Sequence, residues 1–514
     1  MNKNFYITTP IYYPSAKPHM GHAYSSIVAD VFARFKRLDQ FNVYFLTGTD
    51  EHGLKIQKAA EAKKMKPLDF CNEISKTFKD LSKILNLSNT DFIRTTEERH
   101  IKSVQHLWNL LKKNGDIYLS KYSGWYSISD EAFYNEDEIE KKNGKSISLS
   151  SGSIVEWVEE ESYFFKLSNS QEALLKYYSE NPNFIQPKSK KNEVISFVKG
   201  GLKDLSVSRK SFSWGVKVPG DKDHIIYVWL DALTNYLSAL NYPDTENDLF
   251  RNFWPANLHL IGKDILRFHA VYWPAFLLAA KIPLPHRIYA HGWILKGDEK
   301  MSKSKGNILD PLEIIETYGI DALRYYLIKE VSFGNDGNIS KNKLEECINS
   351  DLANNFGNLC QRVTAFNEKN CGLKVPNKIN FNDDDLNILN NFSLNIEKIR
   401  KEMDNQNLNY YIEFIINSLF DSNKYFNDQE PWKKKSDITR LNTIVYVSLE
   451  LIRKISIMLY PIIPESIEKS LKIFNIDIKD LKFESITNHN FLKEGSVIKK
   501  IPILFKKIDR KNND

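Results

Sequence analysis

The stretch that decides the fold is residues 5–50, FYITTPIYYPSAKPHMGHAYSSIVADVFARFKRLDQFNVYFLTGTD, near the start of a 514-residue chain. Phe5 to Tyr12 is aromatic and β-branched, and the apolar residues from Ile27 to Leu38 recur with helical periodicity. Val43 to Leu46 then predicts a second, buried strand. A strand, a helix and an apolar strand in this order predict a parallel sheet covered on both faces.

The same pattern returns later in the chain. Ile225–Leu230, Leu258–Ile261 and Arg287–Ala290 predict further strands, with a helix over Asp264–Ala280 between the last two. Residues 115–206 differ, since they are rich in Ser, Lys, Glu and aromatic residues in short alternating runs. We therefore expect one doubly wound sheet that is interrupted by an inserted α+β domain.

Beyond Lys341 the strand signals nearly vanish, and amphipathic patterns such as Leu408–Phe420 and Leu441–Leu459 predict a helix bundle. The expected fold is α/β: a doubly wound, parallel, Rossmann-like sheet split by the α+β insertion, followed by an all-α bundle. A chain of this length is expected to hold several domains. The predicted segments are 1–114 for the first half of the sheet, 115–206 for the insertion, 207–345 for the second half with a stem, and 346–514 for the bundle.

Composition excludes some classes of protein. Hydrophobic residues make up 42% and charged residues 26%, which is typical of globular chains and not of disordered ones. No window has the roughly 18–20 continuous apolar residues of a spanning helix, so no membrane association is expected. The four cysteines form no closely spaced pair, and the amino terminus resembles no leader peptide, so we expect a cytoplasmic protein.

His19-Met20-Gly21-His22 follows the first strand and opens the first helix. Spacing of three places both imidazoles on one face, where unpaired backbone N–H groups and the helix dipole favour an anion. Gly21 would let a flat base lie against the backbone. The tetrad therefore suits a phosphate cradle, although two surface histidines beside a turn glycine would look the same.

Lys300-Met301-Ser302-Lys303-Ser304-Lys305-Gly306-Asn307 lies in a segment without apolar periodicity. Lysines and hydroxyls on a mobile loop would bind a triphosphate more tightly as charge develops in a transition state. The alternative is an ordinary solvated basic loop. The net charge of +6 is spread over too long a chain to decide between them.

Together these two motifs resemble the signatures of class I aminoacyl-tRNA synthetases, His-Ile-Gly-His and Lys-Met-Ser-Lys-Ser. The second is matched letter for letter and the first has Met20 in place of Ile. Further segments resemble the methionyl-tRNA synthetase family over nearly the whole chain, namely Tyr12-Tyr13-Pro14, Gly48–Gly53, Val228–Tyr236 and Ala290–Trp293. The resemblance implies ATP-dependent attachment of L-methionine to tRNA through methionyl-adenylate, with release of pyrophosphate and AMP.

The resemblance also implies a methionine site. Asp50 would hold the substrate ammonium, and the side-chain pocket would be lined by Ile11, Tyr13, Trp229, Ala232, Tyr236 and His291. Aromatic edges and faces suit a polarizable thioether. Taken singly, the aromatic residues fit a core better than a pocket, since cores use large aromatic residues heavily.

On the nucleotide side, the resemblance assigns catalytic roles to His19, His22, Lys300 and Lys303, which would stabilise charge on ATP brought in with Mg²⁺. Gly21, Gly262 and Asp264 would also bind ATP. Asp264 could instead be a helix N-cap.

In the bundle, the resemblance implies that Asn358, Arg362 and Trp432 read the anticodon of tRNA(Met), including the initiator tRNA. Asn358 and Arg362 are spaced i, i+4, and unstacked loop bases are commonly recognised by amides and by aromatic or guanidinium planes. An ordinary helix pair with a buried Trp is the alternative.

One departure from the family concerns zinc. Many relatives carry cysteine pairs in the inserted domain, but residues 115–206 contain no cysteine, so no structural zinc is expected and the metal-free subgroup is the better match. The chain ends soon after the bundle, without the extra domain through which some relatives dimerise, so a monomer is expected.

Other readings explain less of the sequence. Leucyl, isoleucyl and valyl enzymes carry far larger insertions, and cysteinyl enzymes need zinc-binding cysteines in the catalytic half. A small-molecule nucleotidylyltransferase would leave the bundle unexplained. A non-catalytic RNA-binding module would leave both phosphate signatures unused.

Overall fold

The computed structural model describes residues 3–14, 17–128, 132–134, 136–142, 144–296, 299–300 and 310–509. The chain divides into two compact units. The sheet unit contains Asn4–Pro18 and Val43–His291, and the helical unit contains Met1–Lys3, His19–Asn42 and Gly292–Asp514. Each is described by itself below.

The strands that form the sheets have the following bounds. They are β1 (Asn4–Tyr12), β2 (Asn42–Thr49), β3 (Asp91–Arg94), β4 (Ile117–Ser127), β5 (Ala132–Tyr134), β6 (Ile139–Lys142), β7 (Lys145–Ser148), β8 (Glu156–Phe165), β9 (Ile185–Gln186), β10 (Leu205–Ser206), β11 (Ser208–Arg209), β12 (Lys217–Val218), β13 (Asp221–Ile226), β14 (Leu258–Gly262), β15 (Ile288–His291), β16 (Ile294–Lys296), β17 (Glu299–Lys300) and β18 (Gly337–Asn338).

The helices have the following bounds. They are α1 (Met20–Leu38), α2 (Leu54–Ala62), α3 (Pro67–Ile84), α4 (Glu98–Lys113), α5 (Gln171–Glu180), α6 (Lys188–Lys199), α7 (Val228–Leu233), α8 (Asn235–Ser238), α9 (Asp248–Phe253), α10 (Trp273–Ala279), α11 (Pro311–Tyr318), α12 (Ile320–Glu330), α13 (Lys341–Cys347), α14 (Asn358–Cys371), α15 (Asp383–Asp404), α16 (Leu408–Asp428), α17 (Ile438–Leu459) and α18 (Pro464–Leu471).

The sheet unit is organised around a six-stranded sheet with the order β3-β2-β1-β14-β15-β9. The pairings β1–β14, β14–β15, β15–β9 and β2–β3 are all parallel. In β2 every residue after the first is buried, which explains its apolar run. The two halves of the sheet meet at β1 and β14, and the predicted doubly wound α/β fold is confirmed.

The stretch 115–206 forms its own antiparallel sheet, β10-β8-β4-β5, with the β6–β7 hairpin and helices α5 and α6. Strand β9 lies in the same stretch but pairs with β15 at the edge of the parallel sheet, where Ile185 is buried. The stretch therefore also contributes an edge strand to the sheet. The four predicted segment boundaries stay a prediction.

Two predicted elements differ from the structure. The strand expected over Ile225–Leu230 ends at Ile226, and α7 begins at Val228 after Tyr227, whose backbone is extended. Strand β13 also pairs antiparallel with β11 and β12 in a separate sheet. A short apolar run does not distinguish a buried strand from a buried helix, which is why one strand was expected here.

The helix expected over Asp264–Ala280 is irregular. A 3₁₀ turn covers Lys263–Ile265, a π-helical segment covers Phe268–Tyr272, and only Trp273–Ala279 is α-helical. Pro274 lies in the first turn of α10, which continues directly from the π-helical segment, where the Trp273 N–H donates to the Phe268 carbonyl.

In the helical unit, α1 packs against the bundle. The Phe35 ring meets Tyr411 and Phe483 edge-on at 5.4 and 5.0 Å between centroids. A buried carboxylate, Asp30, accepts hydrogen bonds from Arg34 and Arg324 at 2.7 Å each. Helix α1 is therefore fixed to this unit by both aromatic packing and buried ion pairs.

The bundle predicted beyond Lys341 is confirmed as helical, with α16 and α17 extending the two amphipathic patterns to Leu408–Asp428 and Ile438–Leu459. Among the residues that the structure describes, none of the helices is both long and apolar enough to span a bilayer.

Candidate active site

Four predicted site residues lie where the central strands of the sheet end. Tyr13 follows β1 and Asp50 follows β2, and the Asp50 N–H donates to the Tyr12 carbonyl at 2.9 Å. Gly262 and His291 end β14 and β15 and stand opposite each other in the register. Because ligands of such sheets bind at the carboxyl edge, these positions favour a substrate site there.

The residue after Asp50 is locked in place. Glu51 is fully buried and receives two hydrogen bonds from Arg94, at 2.7 and 2.9 Å. The hydroxyls of Thr49 and Thr96 donate to the same carboxylate at 2.7 and 2.6 Å. Glu51 is therefore held on all sides by protein groups and serves to fix the loop that carries Asp50.

The next residue, His52, is held as firmly. Its Nδ1 lies 2.6 Å from a carboxylate oxygen of Asp231, and the Tyr13 hydroxyl donates to its carbonyl at 2.9 Å. The Trp214 indole N–H donates to the Glu51 carbonyl at 2.6 Å and its ring meets the His52 ring edge-on. The segment from Asp50 to His52 is thus preorganised by contacts on both sides.

Three predicted pocket residues share one apolar cluster. Ile11, Trp229 and Ala232 pack with Tyr126 and Tyr227. The Trp229 ring also stacks on Phe268, with centroids 3.5 Å apart and planes 12° from parallel. Such a surface is well suited to an unbranched thioether.

Tyr236 is fully buried, and its hydroxyl lies 2.8 Å from His269 Nε2. His269 Nδ1 lies 3.0 Å from the Ile265 carbonyl, which can only accept, so Nδ1 carries the proton and Nε2 accepts from Tyr236. Burial lowers the pKa of His269 to about 4, so the ring is neutral at neutral pH. The hydroxyl of Tyr236 is therefore committed to the core, on a ring that stacks on His259.

The Asp264 carboxylate lies close to the backbone of Gly262. Gly262 caps the 3₁₀ turn that contains Asp264, so Asp264 is not the N-cap that the sequence left open. A Cβ added to Gly262 would lie 2.6 Å from Asp264 Oδ1. The glycine therefore leaves room for the Asp264 carboxylate at the end of β14.

His19 and His22 form a reciprocal cap of α1. His19 precedes the helix as its N-cap, and its Nδ1 accepts from the Gly21 N–H at 3.1 Å. His22 Nδ1 accepts from the His19 N–H at 3.0 Å, and the two ring centroids are 3.7 Å apart. The rings are adjacent as predicted, but through capping rather than through one helical face.

This capping fixes the chemistry of both rings. Since each Nδ1 accepts, each neutral imidazole carries its proton on Nε2 and presents an N–H donor there. The first-turn N–H of Gly21 is used internally, so the rings, and not that backbone group, are suited to meet an anion. A Cβ on Gly21 would lie 3.0 Å from the His19 ring, so this glycine leaves room for the capping ring, and its expected contact with a base stays a prediction.

The second signature is described only in part. Lys300 ends β17, which pairs antiparallel with β16. The Lys300 side chain, and Lys303 within residues 301–309, lie outside the described residues.

The three predicted anticodon residues lie in the helical unit. Asn358 is exposed at the start of α14, one turn before Arg362. Arg362 donates to Asn427 Oδ1 at 2.5 Å and lies over the Phe426 ring, which meets Trp432 edge-on at 6.2 Å. Trp432 is 41% exposed, so the alternative of a buried Trp is wrong.

Sequence reasoning missed three residues that shape the site: Glu51, His52 and Asp231. A clue for the first two was the run of polar residues directly after a buried strand, Asp50-Glu51-His52. Asp231 had a weaker clue, a single carboxylate inside the apolar run Val228–Leu233. Most of their partners, such as Arg94 for Glu51 and His100 for Asp231, are too distant in sequence to be found by spacing.

In the described part of the chain, no group of three or more His, Cys, Asp or Glu side chains is arranged so that it could hold a metal ion.

Comparison with protein families gives two matches. Residues 5–145 and 143–364 match the class I tRNA synthetases of the methionyl type. Residues 375–514 match the anticodon-binding domain of methionyl-tRNA ligase.

Individual relatives match this chain over nearly its whole length. The methionine–tRNA ligase of Brucella suis is 49% identical over 94% of this chain and 94% of its own. That of Rickettsia conorii is 48% identical over 99% of this chain and 100% of its own. A solved structure of the Mycobacterium tuberculosis methionyl-tRNA synthetase in complex with methionyl-adenylate has a TM-score of 0.95 and 46% identity, covering 98% of this chain and 99% of that one.

Proposed function

The chain belongs to the class I methionyl-tRNA synthetase family, and from this premise we propose which of its residues carry the reaction. The reaction is the ATP-dependent attachment of L-methionine to tRNA through methionyl-adenylate, with release of pyrophosphate and AMP. The observation that carries the proposal is the set of Tyr13, Asp50, Gly262 and His291 at one edge of the parallel sheet.

Methionine is held at both of its ends. Asp50 binds the ammonium group, since a carboxylate at the end of a buried strand is stabilised by a cation. The thioether lies against Ile11, Trp229 and Ala232, which already form one apolar cluster. Tyr13, Tyr236 and His291 complete the pocket.

In the first step the methionine carboxylate attacks the α-phosphorus of ATP in line, and pyrophosphate leaves. Such a step depends on positioning and charge stabilisation more than on covalent catalysis. His19 and His22 donate from Nε2 to phosphate oxygens as negative charge develops, and Lys300 and Lys303 provide positive charge. Gly21, Gly262 and Asp264 bind the nucleotide, and Mg²⁺ enters as part of the ATP substrate.

In the second step the 2′-hydroxyl of the terminal adenosine of tRNA attacks the adenylate carbonyl, and AMP leaves. The helical unit recognises the anticodon through Asn358, Arg362 and Trp432. An exposed indole and a guanidinium plane joined through Phe426 support this role, because unstacked bases bind to such planes.

Several finer points are part of the same proposal. The initiator tRNA is a substrate, the enzyme acts as a monomer in the cytoplasm, and it needs no structural zinc. The absence of cysteine from residues 115–206 supports the last point. The segments 1–114, 115–206, 207–345 and 346–514 are its four structural parts.

ATP–pyrophosphate exchange tests the assignment. Methionine should stimulate exchange by the full chain and leucine should not. Lys303→Ala should slow exchange about 100-fold with little change in the KM for methionine, as expected for a group that acts in the transition state. Exchange with leucine alone would overturn the pocket assignment, and an unchanged rate in the variant would overturn the role of Lys303.

A further inference from the structure

Asp231 occupies an unusual place between two proposed pocket residues. It lies on α7 with Trp229 before it and Ala232 directly after it. The side chain is fully buried, and each carboxylate oxygen accepts from a histidine: Oδ2 from His52 Nδ1 at 2.6 Å and Oδ1 from His100 Nε2 at 2.8 Å. A buried carboxylate with two nitrogen partners is a fixed junction rather than a solvated surface group.

One arm of this junction reaches the Asp50 loop. His52 lies two residues after Asp50, and its carbonyl accepts from the Tyr13 hydroxyl at 2.9 Å. His52 thereby ties α7, through its ring, and the end of β1, through its carbonyl, to the loop that follows β2. Any displacement of His52 would also displace the backbone that presents Asp50.

The other arm reaches the rigid core. His100 belongs to α4 and is fully buried, and its Nδ1 lies 3.0 Å from the hydroxyl of Ser238 on α8. That hydroxyl is in turn 2.9 Å from the Thr234 carbonyl. The His100 arm therefore anchors Asp231 to α4 and α8. Of the proposed substrate-binding residues, Tyr236 lies on α8 and none lies on α4.

Of the three side chains at the junction, the Asp231 carboxylate has a clearly shifted pKa. Burial alone would raise the pKa of Asp231, but the nearby His52 charge and the two histidine hydrogen bonds lower it to about 2. The carboxylate is therefore ionised at neutral pH and accepts from both rings.

From this geometry we propose that Asp231 is a positioning residue that determines amino-acid specificity. By holding His52 and His100 at once, it fixes the separation between the ammonium-binding end of the pocket at Asp50 and the thioether-binding wall at Trp229 and Ala232. That separation selects the length of the amino-acid side chain. The inference rests on the proposed methionine site and adds to it the residue that sets its dimensions.

The test compares methionine with two analogues of different length in exchange assays of the full chain. Ethionine is one methylene longer than methionine, and homocysteine lacks the terminal methyl. Asp231→Asn keeps the shape but removes the negative charge and replaces one acceptor oxygen by a donor, so the charge-assisted hydrogen bonds from the two histidines are lost. We expect the KM for methionine to rise at least tenfold, the KM for ATP to change less than twofold, and the preference for methionine over ethionine to fall about tenfold, since one methylene is worth about 10–200-fold in a defined pocket.

A matched control is Asp91→Asn. Asp91 begins β3 at the opposite end of the strands and also has several partners, Arg99 at 2.8 and 3.0 Å and Tyr44 at 2.9 Å. Its loss should lower stability without changing the KM for methionine or the selectivity. If both variants change selectivity alike, or if Asp231→Asn lowers only stability, the inference is wrong.

A second pair of variants decides the question if Asp231→Asn does not fold. In His52→Asn the amide nitrogen takes the place of Nδ1 and can still donate to Asp231, whereas in His52→Gln it takes the place of Nε2 and cannot. The Gln variant should lose selectivity and the Asn variant should retain it, and equal behaviour of the two would overturn the inference. If the unchanged chain shows no methionine-dependent exchange, the proposed function itself fails; if it exchanges normally and no variant shifts selectivity, only this inference fails.

Discussion

Around Asp50, the neighbouring side chains are buried and each has several partners, whereas around Trp432 they are partly exposed and joined by few contacts. Glu51 has four hydrogen bonds from three side chains and no exposure. Within the described part of the chain, the side-chain hydrogen bond of Arg362 goes to Asn427, and the ring contact of Trp432 is the edge contact with Phe426. A small substrate needs a pocket whose geometry exists before it binds, while an RNA loop brings its own stacking surfaces and completes the site.

The largest expected effect concerns stability. Glu51→Ala should lower the free energy of unfolding by about 3–5 kcal/mol, because it leaves Arg94 without its buried carboxylate. Arg362→Ala should cost less than about 1 kcal/mol, as expected at a surface position. Chemical denaturation measures both, and equal losses would remove the contrast between the two regions.

The next effect concerns the rate of adenylate formation. It distinguishes the role of His19 as the N-cap of α1 from its proposed role in catalysis. His19→Ala and His19→Asn should both slow adenylate formation about 100-fold, since each removes the Nε2 donor. Only His19→Ala should also lower stability, by about 1 kcal/mol, because Asn keeps an acceptor for the Gly21 N–H. A normal rate in the Asn variant would show that His19 serves only as a cap.

The stability of the sheet unit should depend on pH because of the buried His269 ring. The folded-state pKa of His269 is lowered to about 4 from 6.5, so protonation favours the unfolded chain. Its contribution to stability is complete above pH 6.5 and is lost as the pH falls, reaching a loss of about 2 kcal/mol at pH 5. Denaturation at pH 7 and pH 5 should show a smaller loss for His269→Gln, and an identical loss would assign the effect to other groups.

The smallest expected effect concerns the anticodon surface. Trp432→Ala should reduce charging of tRNA about tenfold by removing a stacking plane, because such stacking is worth about 1–3 kcal/mol per base. ATP–pyrophosphate exchange and stability should stay nearly unchanged. If exchange falls as much as charging, Trp432 has a structural role and the contrast with the Asp50 loop does not hold.

Local patterns predicted much of this molecule. The strands β1, β2, β14 and β15 and the long helices of the bundle follow from apolar periodicity, since burial of one face imposes it directly on the sequence. The pattern of Ile225–Leu230 predicts one strand, but the structure divides it between β13 and α7, because a short apolar run suits a buried helix equally well.

The sequence alone determined the two signatures, the order of the elements and the positions of the candidate site residues, because these depend on neighbours along the chain. Only the tertiary structure decided how those residues are held. His52 and His100 lie 179 and 131 residues before Asp231 along the chain, yet both contact its carboxylate. The two signature histidines cap each other instead of sharing a helical face. Hydrogen bonds between distant segments form only after the sheet has brought the strand ends together, so no local spacing records them.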